Sequence, residues 1–197
     1  MSKGRLEAFS DGVLAIILTI MVLELKVPHG ETFADLAPVV PDFLSYVLSF
    51  LYVGIYWNNH HHMMHTVHTV TGPILWANLH LLFWLSLIPV TTGWLGASSF
   101  ASAPSMLYGA VLLMSAIAYV VLQQAIIRHQ GDDSVLRKAV GEDRKGKVSL
   151  LLYVAGLVLA SWSGYVAHFA YVAVALIWLF PDRRIERILA TGQGSSR

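Results

Sequence analysis

The 197-residue chain contains no cysteine. That excludes disulfide scaffolds, thiol catalysis, zinc–thiolate sites and iron–sulfur clusters. Charge is scarce as well: 13% of residues are Asp, Glu, Lys or Arg, where a soluble domain needs about 25% to cover its surface. So few charges leave an outer surface that faces lipid. What fills their place is apolar: 56% of residues are hydrophobic and mean hydropathy is +0.61, which excludes disorder over most of the length. The net charge of +1 with histidines neutral offers nothing to a nucleic-acid partner.

Crossing a bilayer takes roughly 20 mostly apolar residues. Residues 12–23 run without a charge up to Glu24 and Lys26, and three further runs cover about 39–58, 74–95 and 104–127. The stretch Val148 to Phe180 is too long for one span, and Ser161-Trp162-Ser163-Gly164 breaks it near the middle. The reading is therefore all-α: one polytopic membrane domain over 1–181, with six helices at about 6–27, 39–62, 74–95, 104–128, 147–161 and 164–181. The Gly/Ser-rich end completes a tail, 182–197, expected to be cytoplasmic and partly disordered. Lys3 and Arg5 before an apolar run imitate a signal peptide. Glu7 and Asp11 acidify it and no small-residue cleavage site follows, so it reads as a retained first helix.

Basic residues set orientation. The 29–38 and 96–103 loops and the 161–164 turn carry none. The 128–147 loop holds Arg128, Arg137, Lys138, Arg144, Lys145 and Lys147, and the tail holds Arg183, Arg184, Arg187 and Arg197. With six spans and both termini cytoplasmic, Lys26 is the lone basic residue on the far side. Span count and charge bias agree on a multi-pass protein of this topology.

Ionisable groups at membrane depth are costly and tend to be functional. Asp11 lies near the start of helix 1, and Arg5, six residues earlier, is about 240° around the helix from it. Asp11 must find partners on other helices. Topology brings the end of helix 2 and the start of helix 3 to its depth: Trp57, Asn58, Asn59, His60, His61 and His62, then Asn78 and His80. A buried polar network joining Arg5, Ser10 and Asp11 to some of these is expected; the plainer alternative is a set of headgroup-level side chains wetted by water or lipid. His61, His65 and His68 fall at i, i+4 and i+7, one face if helix 2 continues, and are weak candidates for a transition metal. A His-box oxygenase would need further boxes on other segments, and the remaining histidines are isolated. On helix 1 the same spacing aligns Ile16, Ile20 and Leu23 with Thr19 beside them. Periodicity alone reads that stripe as packing or lipid contact.

The run Arg5-Leu6-Glu7-Ala8-Phe9-Ser10-Asp11-Gly12-Val13 resembles the signature of the transmembrane protein 175 family of potassium channels, Arg, three variable residues, then Phe-Ser-Asp. Tyr56-Trp57-Asn58-Asn59-His60-His61 and Leu75-Trp76-Ala77-Asn78-Leu79, leading to Leu87-Ile88-Pro89, are similar to bacterial members too. The resemblance is specific over about residues 3–95.

The resemblance implies a homotetramer in which helix 1 of each subunit lines a central pore, in the plasma (inner) membrane of a bacterium. It implies a potassium-selective cation channel with no enzymatic activity and no cofactor, its partners being other copies of itself, the lipid bilayer and potassium and other monovalent cations. The carbonyl filter Thr-Val-Gly-Tyr-Gly of ordinary potassium channels is absent from the sequence. By resemblance, Ile16, Ile20 and Leu23 form apolar rings that narrow the pore and Thr19 a hydroxyl layer, so selection would come from partial dehydration. Arg5, Phe9, Ser10 and Asp11 would lock helix 1 to Trp57, Asn78 and a histidine, either His60 or His61. The alternative from another class is a small secondary cation or proton-coupled transporter using Asp11 and the histidine cluster. Against it, helix 1 has no midplane break of the kind transporters carry.

Overall fold

The computed structural model describes residues 2–131, 134–141 and 143–179. Among them the regular structure is entirely helical: α1 (Lys3–Leu23), a 3-10 helix (Phe33–Val39), α2 (Val40–His65), α3 (Gly72–Ser86), α4 (Ile88–Ala97), α5 (Ser102–Gln130), α6 (Val135–Val140), α7 (Arg144–Ala160) and α8 (Gly164–Leu179). The tail expected at 182–197, with its four arginines, lies outside the described residues.

Among the described residues, four helical paths are long and apolar enough to cross a membrane: Lys3–Leu23, Phe33–His65, Gly72–Ala97 and Ser102–Gln130. The third differs from the single helix expected over 74–95. It is two helices end to end, interrupted at Leu87. Pro89 is the cause: it has no N–H to give to the carbonyl four residues back, and its ring crowds that turn. The chain there falls back to a tighter bond, Leu87 N–H to Trp84 O at 3.2 Å. Helix α1 ends four residues earlier than the sequence suggested, with Glu24 closing its last turn onto Ile20 O. The basic loop holds a short helix the hydropathy does not show, α6. Ser134 caps it by accepting from Arg137 N–H at 3.2 Å while donating to Gln130 Oε1 at 2.7 Å. Gln130 Nε2 in turn donates to the Thr66 carbonyl, tying this loop to the end of α2. At the other end of α2, Lys26 stands 3.5 Å from Asp42, a counter-ion for the basic residue that departs from the charge bias.

The helices pack as two groups, α1 to α4 and α5, α7 and α8, joined where α5 lies on α3 and α4 and α8 on α2. Tyr171 on α8 sits between Gly109 on α5 and Gly156 on α7, and a Cβ at either glycine would collide with it. Several buried polar groups here satisfy one another, as an apolar surrounding requires, although His168 Nε2 on α8 is buried without a hydrogen-bond partner among the described residues. Thr92 Oγ1 donates to Ile88 O at 2.7 Å. Its one hydrogen is thereby used, so Ser49 donates to Thr92 at 2.7 Å and Tyr108 to Ser49 at 3.0 Å. Tyr52 donates to Tyr171 O at 2.6 Å. These bonds stitch α2, α4, α5 and α8 together without an ion. Helix α1 lies at the edge of the bundle, packed on α2, α3 and α4.

Candidate functional site

Helix α1 has two faces. Leu6, Ser10, Leu14, Ile17 and Met21 are buried against its neighbours, at the i, i+4, i+8, i+11, i+15 spacing of one helix side. The opposite side is uncovered. Ile16 is 59% exposed, Ile20 42% and Leu23 77%, and Thr19 is exposed with them. Thr19 Oγ1 donates to Ala15 O at 2.8 Å. Its only hydrogen is spent on its own helix, so what it presents outward is an oxygen with free lone pairs. The stripe from Ile16 to Leu23 carries no charge.

At the N-terminal end of α1 the structure brings together three of the residues singled out from the sequence. Asn78 Nδ2 donates to Ser10 Oγ at 3.0 Å, and Ser10 Oγ donates to Leu6 O at 2.9 Å. His60 Nε2 lies 2.7 Å from Asn78 Oδ1. An amide oxygen only accepts, so His60 carries its proton on Nε2. All three side chains are buried. The histidine left open between two positions is thus His60 in this relay, while His61, 100° further round α2, is exposed.

Asp11 is not part of the buried relay. It is exposed, and Trp57 Nε1 donates to its Oδ1 at 3.1 Å. Arg5 and Phe9 are exposed too, and among the described residues Arg5 makes no hydrogen bond or ion pair. The single network expected to join Arg5, Ser10 and Asp11 is therefore two separate contacts within one chain. The reason is helical geometry: Ser10 shares the inward face with Leu6 and Leu14, and one residue later Asp11 is turned 100° away.

The histidine row is also shorter than its spacing suggested. α2 ends at His65, so His68 lies beyond the helix and off its face. Among the described residues no three His, Cys, Asp or Glu side chains converge as a metal-binding group. His61 and His65 remain together, Nε2 to Nε2 at 3.0 Å.

One further feature was not legible in the sequence. A cavity of about 560 Å³ opens between α2, α5, α6, α7 and α8, with Asn59, His62, Gln123 and Asp143 in its wall. Burial pushes the Asp143 carboxyl above its ordinary range. The tyrosines of α2, α5, α7 and α8 that line it or lie behind it could have been suspected from their presence inside apolar runs.

Residues 5–89 match the family described as endosomal/lysosomal potassium channel TMEM175. A potassium channel of Chryseobacterium sp. (strain P1-3) is 58% identical over 189 residues, 96% of this chain and 98% of its own. A potassium channel of Streptomyces collinus (strain DSM 40733 / Tue 365) is 36% identical over 61% of this chain and 62% of its own. In three dimensions the chain is similar to the crystal structure of a lysosomal potassium-selective channel TMEM175 homolog from Chamaesiphon minutus. The TM-score is 0.77 at 25% identity, covering 91% of this chain and 97% of that one. These relatives are channels, not enzymes.

Proposed function

The chain belongs to the family of the endosomal/lysosomal potassium channel TMEM175, and from that premise we propose that four copies surround a potassium-selective pore lined by α1. The observation that carries this reading is the two-faced character of α1. One face is fastened into the subunit by Leu6, Ser10, Leu14, Ile17 and Met21, and the other offers Ile16, Thr19, Ile20 and Leu23 to a partner or to a lumen. An edge helix held on one side only can line an axis shared between subunits.

In this arrangement rings of Ile16, Ile20 and Leu23 form a dry neck. An ion passes it only by shedding water, and potassium holds its hydration shell less tightly than sodium. The Thr19 oxygens, with their lone pairs turned outward, replace part of the lost hydration. The ions are cargo, and the mechanism uses no cofactor. The reading has six spans per subunit in a bacterial plasma membrane, with both termini and the 128–147 basic segment cytoplasmic. The charge bias supports that orientation. α7 and α8, with 17 and 16 residues, are short for spans and require a locally thin bilayer.

Currents in planar bilayers under potassium-for-sodium replacement test the pore. Ile16→Asn should wet the neck, raising conductance and weakening potassium preference; currents indifferent to it would remove Ile16 from the gate. For assembly, Asp11→Asn should deplete the oligomer on detergent gel filtration, and unchanged elution counts against a role for Asp11 between subunits.

The transporter alternative has one observation in its favour, the helix break at Leu87, since transporters interrupt helices near their sites. Asp11 and the histidine cluster that would carry its protons stand at the level of Asn78 rather than at that break. Saturable, proton-coupled uptake without unitary currents would favour it.

A further inference from the structure

The last two turns of α2 carry a feature that the pore does not use. His61 and His65 are four residues apart, so both rings stand on one helix face. Their centroids are 4.4 Å apart with planes at 82°, and their Nε2 atoms lie 3.0 Å apart. Both side chains are exposed. One proton now lies between two imidazole nitrogens. With that proton released and both rings protonated at Nδ1 instead, both Nε2 lone pairs are free for a single cation beside them.

The spacing selects among metals. A cation about 2.0–2.1 Å from each nitrogen, across the 3.0 Å between them, would see the pair at roughly 91–97°. That is the angle between neighbouring positions of a tetragonal site, the preference of Cu(II) and Ni(II), and is tighter than the tetrahedral angle zinc favours. Affinity for a given nitrogen site also peaks at copper. No third protein ligand converges here among the described residues, so water completes the coordination.

The surroundings hold the pair in place. The His61 ring stacks on Trp57 at 6.1 Å and 26°, and Trp57 Nε1 is fixed by Asp11. Lys3 Nζ donates to the His65 carbonyl at 3.2 Å, and its charge is offset by Glu7 at 3.9 Å. We propose that His61 and His65 form a divalent transition-metal site that takes Cu(II) in preference to Ni(II) and Zn(II).

The test uses the full-length protein purified in detergent without a polyhistidine tag. Cu(II) is titrated by calorimetry and the bound ion read by electron paramagnetic resonance. The wild type should bind one Cu(II) per chain at this site, with the nitrogen splitting of two imidazoles. His65→Ala should weaken binding at least about tenfold, the cost of disturbing even an outer-shell partner of a metal, and abolish the two-nitrogen signature. His68→Ala should change neither. His65 touches neither Trp57 nor the buried relay, and elution volume and thermal midpoint verify that the variant is folded; His61→Ala is the second variant. Equal Cu(II) affinity and identical spectra in wild type, His61→Ala and His65→Ala would overturn the site, as would tighter Zn(II) than Cu(II) binding its assigned preference. Binding is read without ion flux, so the outcome is independent of the pore reading.

Discussion

Asn78 Nδ2 donates to Ser10 Oγ at 3.0 Å, and neither side chain meets solvent. This bond joins α3 to the edge helix α1, and His60 on α2 completes it through the other end of the same amide. Three helices are held at one point by an amide that has both a donor and an acceptor to give.

Removing that amide should be expensive. Asn78→Ala leaves the His60 Nε2–H without its acceptor in a buried place, which costs about 1–3 kcal/mol. Thermal unfolding in detergent should show a clearly lowered midpoint, and His60→Ala should add little to it because the two act as one unit. Full additivity of the two losses would show that the relay is not coupled.

Thr19 separates the effect of a hydroxyl from that of bulk. Thr19→Ser keeps the oxygen, while Thr19→Val keeps the shape and removes it. The permeability ratio of potassium to sodium should stay near the wild-type value in the first and fall several-fold in the second. A Val variant with undiminished selectivity would leave selection to the apolar rings.

The packing of Tyr171 predicts a rescue. Gly109→Ala places a methyl group on the Tyr171 hydroxyl, and overpacking of this kind costs about 1–3 kcal/mol. Tyr171→Phe removes that oxygen and forfeits its bond to Ser105 O at 3.2 Å. The double variant should therefore be more stable than the sum of the singles requires, as read by thermal midpoints. Strict additivity would assign the clash to the Tyr171 ring carbons, which Phe keeps, rather than to the hydroxyl.

Asp143 predicts a pH dependence. Its carboxyl caps α7 by accepting from Gly146 N–H at 3.1 Å, yet burial raises it above the ordinary value of 3.8. The folded chain then holds this proton more tightly than the unfolded chain does. The stability contributed by protonation is complete below pH 3.8 and is lost as pH rises through the folded value. Asp143→Asn keeps the cap and abolishes the titration. Its midpoint should gain on the wild type with rising pH over this acidic range and match it most closely at the acid end. The side chain is only partly buried, so screening keeps the difference small. Parallel curves for the two proteins would contradict the assignment.

The sequence carried the four long apolar paths because hydrocarbon thickness sets a length that composition must match. It carried the residue types of the relay, though not the choice between His60 and His61. One position along a helix is 100°, and only the packing of α2 on α3 settles which ring turns inward. Pro89 was legible as a break, but the long apolar run over 74–95 masked it. The row His61, His65, His68 failed because it assumed a helix three residues longer than α2.

Scarcity of charge, together with the long apolar runs, was then enough to establish a membrane protein and its all-helical class. It could not sort the sides of α1. In water a buried face differs from an exposed one in polarity. In lipid the faces toward the core, the acyl chains and a dry pore are all apolar, so Leu14 and Ile17 look no different in sequence from Ile16 and Ile20. The tertiary structure decided that the first pair is buried and the second open, because only the positions of α2, α3 and α4 around the helix distinguish one apolar side from another.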